Sequence, residues 1–265
     1  MKLLSKIAIC ASFIFTLNTN LTALSFKPLI ANPIEPRVGG MYEFGDEKLR
    51  LDIGTSLDLA KLKMGDKAVL SIGTDFFTYT RLRTAGKFKF PVETSDYFFG
   101  LNACYVDSSF NYPLSFRMRV AHISSHLVDG YADSVTFKKE PFVYSREFID
   151  LVAAINIDNL RLYAGVNMLY STKPKDFLFL HPQIGFDYNY KLSNFVDLIA
   201  GYDFKYAGIR SAMHPVHSLQ AGFKFNTSDD VAVFLGVYGY KGKSLHGLFY
   251  NENDEYLGTG FQIMF

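Results

Sequence analysis

The chain has 265 residues with 27 basic and 26 acidic side chains, a formal charge of +1, and 26 Phe and 17 Tyr but no Trp. So even a balance excludes the broad basic field of a nucleic-acid binder, and no nucleic-acid partner is expected. A mean hydropathy of only +0.07 is far too low for a bundle of membrane helices.

In chain order, residues 1–23 have the parts of a secretory signal peptide: Lys2 and Lys6, an apolar stretch from Ile7 to Leu17, and a polar exit from Asn18 to Ala23. Eleven apolar-dominated residues are too few for a spanning helix, which needs about 20. Cys10 is preceded by Ile9, where a lipoprotein signal would carry a small residue, and cleavage would leave Cys104 as the one thiol. A disulfide framework is thereby excluded. Residues 24–36 carry Pro28, Pro33 and Pro36, which discourage a central strand. This segment reads as an extended periplasmic lead-in or a short plug.

From residue 37 onward the sequence alternates apolar and polar side chains in about twelve stretches: 37–45, 48–60, 67–80, 96–107, 113–126, 141–156, 159–171, 177–190, 195–207, 213–225, 230–241 and 255–265. Period-two alternation without long apolar runs predicts an all-β fold, a transmembrane antiparallel up-and-down β-barrel over 37–265. Short connections at 61–66, 108–112, 157–158, 191–194 and 226–229 alternate with mostly longer ones at 81–95, 127–140, 208–212 and 242–254, as periplasmic turns and external loops do. In the last strand Leu257, Thr259, Phe261, Ile263 and Phe265 share one face. A terminal Phe with apolar residues two and four places upstream resembles the signal that the outer-membrane assembly machinery reads. That resemblance implies the bacterial outer membrane as the location and the machinery as a partner through Phe265.

Alternation also sorts the faces. Leu49, Leu51, Ile53, Leu57 and Leu59 turn outward while Arg50, Asp52, Ser56 and Asp58 turn inward. The same rule puts Asp75, Asn102, Arg117, Arg119, Arg146, Asp150, Arg161, Asn167, Gln183, Asp187, Asn189, Asp203, Lys205, Gln220 and Lys224 in the bore. Arg side chains reaching Asp across so narrow a bore would close much of it; a selective solute path is the other reading.

One strand departs from its pattern. In SFRMRVAHISSHL, residues 115–127, Phe116, Met118 and Val120 face outward, and the same register sends His122, Ser124 and His126 outward after them. Polar groups on a lipid face are costly unless they lie near the headgroups or have a use. At ~3.3 Å per residue and ~40° of tilt, His122 lies about 10 Å below the external loop, near the depth of acyl esters. Pairing across 127–140 brings Ser145 and Glu147 beside Val120 and His122. A serine hydroxyl becomes a nucleophile when a base takes its proton and a carboxylate orients that base. Ser124 as nucleophile, His122 as base and Glu147 as orienting acid fit those roles. A β-bulge near Ala121 would instead turn His122 and Ser124 into the bore, and placement in the headgroup belt would account for Ser125 and His126.

His-Ile-Ser at 122–124 is similar to the His-x-Ser of two lipid-acting barrel families, outer-membrane phospholipase A and the lipid A deacylase, although Ser125 stands where those families carry Asn. The resemblance implies hydrolysis of acyl esters of phospholipid or lipopolysaccharide, with membrane lipid as the partner. Ile-Ala-Asn-Pro at 30–33, His-Ile-Ser-Ser-His-Leu at 122–127 and Tyr-Ser-Arg-Glu at 144–147 also resemble a family of bacterial envelope proteins of unknown function. The alternative is a non-catalytic barrel: a narrow pore, an adhesin or a structural envelope protein.

Other candidates are weaker. His181 is expected inward, and His214 and His217 flank Pro215 at a strand end; convergent metal ligands are lacking, and no metal or other cofactor is expected. Asp129 and Asp133 in the 127–140 loop offer carboxylates for Ca²⁺ but match no loop motif. Lys138, Lys139, Lys173, Lys175, Lys241 and Lys243 fall in or beside external loops, where they would meet lipopolysaccharide phosphates or simply be solvated.

Overall fold

The computed structural model describes residues 24–133, 136–137, 139–228 and 231–265, with the backbone alone at 133, 136 and 137. The predicted signal segment 1–23 and Lys138 lie outside the described residues.

Twelve antiparallel strands close into one barrel. They are β1 (Val38–Glu43), β2 (Lys48–Lys63), β3 (Ala68–Arg83), β4 (Val92–Asp107), β5 (Leu114–Leu127), β6 (Tyr144–Ile157), β7 (Leu160–Lys173), β8 (Leu180–Lys191), β9 (Val196–Ile209), β10 (Ala212–Asn226), β11 (Ala232–Lys243) and β12 (Asn253–Met264). Each pairs with its chain neighbours, and β1 closes on β12 through Val38 opposite Ile263. Every expected strand is present, with ends shifted by a few residues. The expected loop 208–212 is instead a tight turn at Arg210 and Ser211, both with positive φ, 51° and 67°. Hairpin turns of that kind usually carry Asn or Gly, so nothing in the residues announced it.

The outer wall is apolar: Leu51, Ile53, Phe99, Leu101, Phe116, Met118, Leu235 and Phe261 are exposed. No helix among the described residues is long and apolar enough to cross a membrane. An exposed apolar belt around a closed barrel is the arrangement that a bilayer satisfies.

The bore is filled from both ends. Residues 24–37 run inside it as a series of turns, and Ser25 bonds Asp58, Ile30 N donates to Asp187 Oδ1 at 3.0 Å, and Lys205 Nζ donates to Asn32 Oδ1 at 2.6 Å. Glu35 ends among guanidinium groups: Arg117 Nη1 is 2.9 Å and Arg119 Nη2 3.1 Å from its Oε2, while Arg119 Nε reaches Asp75 at 2.9 Å and Arg117 reaches Asp150 at 3.3 Å. Arg119, Glu35 and Asp75 retain at most 2% exposure, so this charged cluster is closed to water. The expected Arg–Asp pairs form between adjacent or next-but-one strands along the wall rather than across the bore, and Glu35 of the plug adds a further acid to the cluster. Replacing Glu35 by Gln leaves buried cations short of a counter-charge and is expected to cost about 3–5 kcal/mol. A lower urea midpoint in lipid vesicles and new protease cleavage within 24–37 are the readouts.

The opposite half of the bore is not the charged lumen that alternation implied. Phe77, Tyr79, Phe98, Ile123, Phe148, Leu248 and Phe249 form an apolar core there. Its lid is the loop 244–252, folded inward around a short 3₁₀ turn, Gly247–Phe249. Asp96 holds this lid, accepting from Gly247 N and lying against His246 Nδ1, both at 2.7 Å. Ser125 Oγ accepts from Leu248 N at 3.3 Å, and Arg81 lies 3.6 Å over the Phe249 ring. A Cβ at Gly247 would fall 2.3 Å from the Tyr144 ring, so only glycine lets the lid seat this deeply.

Candidate functional site

β5 keeps one register throughout. Its pairs run unbroken from Thr94 opposite Leu127 to Asp107 opposite Leu114, and on its other side from Leu114 opposite Ile155 to Ser125 opposite Tyr144. The bulge near Ala121 is therefore absent. Ala121, Ile123 and Ser125 are buried in the bore, while His122, Ser124 and His126 stand on the outer wall. Two rows of outward side chains cross the wall at this level. One is Phe99, His122, Glu147 and Ser171; the other is Tyr97, Ser124, Ser145 and Lys173. Glu147 lies opposite His122 as expected, whereas Ser145 lies opposite Ser124 rather than Val120.

His122 Nδ1 lies 2.9 Å from Glu147 Oε1. With the carboxylate as acceptor, Nδ1 carries the proton and Nε2 keeps its lone pair, the tautomer a general base needs. Glu147 Oε2 is buried and has no hydrogen-bond partner among the described residues. Ser124 follows two residues along the same face, but among the described residues no hydrogen bond joins its hydroxyl to His122. His126 contacts Tyr97 edge to face, with ring centroids 5.9 Å apart.

Sequence reasoning missed Ser171 and Lys173. In β7 the outward set runs Leu162, Ala164, Val166 and Met168, so strict alternation would send Ser171 and Lys173 inward. The pairing instead steps from Phe148 opposite Leu169 to Glu147 opposite Ser171, leaving Tyr170 as an extra residue. A bulge flips every residue beyond it. Beyond the extra residue Tyr170, which is itself exposed, Thr172 is buried and Lys173 exposed, the inverse of the parity below the bulge.

The remaining candidates lie apart. His181 is buried and bonds the Leu178 carbonyl at 3.0 Å; His217 faces outward and bonds Tyr202 Oη at 2.7 Å; His214 contacts the Ile209 carbonyl at 3.3 Å. Among the described residues no group of three or more His, Cys, Asp or Glu is arranged to hold a metal ion; the Asp133 side chain lies outside them.

The barrel is similar in fold to outer membrane phospholipase A from Escherichia coli, with a TM-score of 0.57 at 14% identity over 93% of this chain and 96% of that one. It is also similar to the Salmonella typhi outer membrane phospholipase, solved as a dimer with bound calcium, with a TM-score of 0.55 at 13% identity over 91% and 94%. LpxR from Salmonella typhimurium aligns with a TM-score of 0.37 at 12% identity over 82% and 88%. No curated protein sequence matches the chain. The fold is thus that of bacterial outer-membrane barrels. Over residues 3–265 the sequence matches the family model "Protein of unknown function (DUF1207)", and the chain belongs to that family.

Proposed function

We propose that this protein is an acyl-ester hydrolase acting on lipid of the outer membrane, with its site on the outside of the barrel. The observation that carries the reading is the 2.9 Å contact of His122 Nδ1 with Glu147 on the outer wall, beside an apolar belt that includes Phe99, Phe116, Met118 and Val120. A His–carboxylate pair buried in a core can be mere satisfied polarity; on a lipid-facing wall such a pair is a cost that a use must offset.

In the proposed reaction His122 Nε2 takes the Ser124 hydroxyl proton as Oγ attacks the ester carbonyl, and Glu147 steadies the imidazolium that forms. Collapse of the tetrahedral intermediate breaks the carbonyl–alkoxy bond, and the leaving alcohol takes the proton back from His122. Water, deprotonated by the same imidazole, then releases the fatty acid. Ser145, across from Ser124, supplies a hydroxyl donor beside the developing oxyanion. The missing Ser124–His122 hydrogen bond is compatible with this chemistry, because catalytic contacts often close only with substrate bound. That same missing bond favours the second reading, a non-catalytic lipid-embedded barrel.

The deciding assay is release of free fatty acid from defined phospholipid vesicles and from purified lipopolysaccharide. Wild type is expected to release it and Ser124→Ala is not, with both migrating as folded, heat-modifiable barrels. Equal release by the two proteins removes the reading.

A further inference from the structure

We propose that the bulge at Tyr170 builds an anion-binding arm onto this site, in which Lys173 holds the phosphate of an outer-membrane lipid beside Ser124. The inference rests on the hydrolase reading for its substrate, but its geometry stands independently. Lys173 is brought to the outer wall by a backbone irregularity, at the end of the row that runs through Ser145 to Ser124. Neighbouring strands are ~4.8 Å apart, so the two inter-strand spacings from Ser124 through Ser145 to Lys173 set those backbones about 10 Å apart. A flexible four-carbon stem covers much of that distance and carries a compact, strongly hydrated charge.

The cation is also uncommitted. Among the described residues Lys173 makes no ion pair, whereas Lys48, Lys61, Lys139 and Lys241 are paired with Asp46, Asp58, Glu252 and Glu255. Glu147, the acid of the adjacent row, is engaged by His122 instead. An unpaired ammonium at the external end of a membrane strand draws an anionic lipid headgroup. In a phosphate-bearing acyl lipid the ester to be cleaved lies only a few bonds from the phosphate, so an anchored phosphate presents that ester to the serine. Placement of the reacting group by a remote charge is how binding energy aids a reaction. Tyr170, exposed at the same level, adds an aromatic ring at the headgroup boundary.

The test reads lipid retention, which does not depend on turnover. Full-length mature protein is equilibrated in mixed micelles of phosphatidylglycerol and phosphatidylcholine, and bound lipids are counted by native mass spectrometry; a parallel arm replaces phosphatidylglycerol with lipid A. Wild type and Ser124→Ala are expected to retain the anionic lipid preferentially. Lys173→Gln is expected to lower that preference roughly fivefold, the effect of one cation near a surface, while Lys173→Arg keeps it. Lys241→Gln, on the far wall, leaves it unchanged. Retention by Lys173→Gln equal to wild type, or an equal loss in Lys241→Gln, overturns the proposal. The arm with the larger Lys173-dependent retention names the lipid class. Failure of Ser124→Ala to abolish fatty-acid release would count against the hydrolase reading alone.

Discussion

Replacing His122 by Ala is expected to lower fatty-acid release by roughly 10⁵–10⁶, and the double replacement of His122 and Ser124 is expected to be no worse than either alone. In the proposed reaction nucleophile and base act as one unit, so removing one already removes the function of the other. Glu147→Gln should do less, roughly 10²–10⁴, because the amide still contacts Nδ1 but no longer compensates the imidazolium charge. His122 and Glu147 are also partly exposed, at 43% and 27% of their side-chain area, which lets headgroup water share in that compensation. The measurement is initial fatty-acid release from vesicles at equal amounts of folded barrel. Additive losses, or a Glu147→Gln variant as fast as wild type, would mean that the three side chains do not work together.

Ion conductance is expected to be absent from the wild-type barrel and to appear only when both fillings are removed. The 24–37 segment is tied to the wall by Glu35, Asn32 and Ser25, and the 244–252 lid by Asp96, Ser125 and Arg81. Either alone leaves the bore blocked. A chain lacking 24–36 should therefore remain silent in planar bilayers, as should one in which 245–251 is replaced by a short Gly-Ser turn. The combined variant should show stepwise openings. Openings in the wild type that respond to substitution of Asp75 or Arg119 would restore the solute-path reading.

The strands were legible because a sheet with one greasy face and one packed face imposes a period of two, and nearly every strand from β2 to β12 obeys it. The same period placed Arg117 and Arg119 inside and His122 and Ser124 outside, which is why the His122–Glu147 pairing could be anticipated. What stayed hidden depends on backbone geometry or on distant contacts. The bulge at Tyr170 lies in Leu-Tyr-Ser-Thr-Lys, with no Gly or Pro to mark it, yet it decides where Ser171 and Lys173 point. The lid joins His246 to Asp96 across 150 residues, a separation at which local pattern carries no information. Phe77 and Tyr79 share the parity of Asp75 and were inward by the same rule, but alternation alone gave no reason for half of the bore to be apolar; that reason is the lid they pack beneath.

Hydrolysis at this site requires Ser124 to be an activated nucleophile at the lipid surface. A long-chain alkyl fluorophosphonate, which loses fluoride as it bonds to an activated serine oxygen, tests this on the folded protein in micelles, with the adduct located by peptide mass spectrometry. The prediction is a single adduct on Ser124 that disappears in His122→Ala. No adduct, or one on Ser145 or Ser171 with Ser124 untouched, would contradict it.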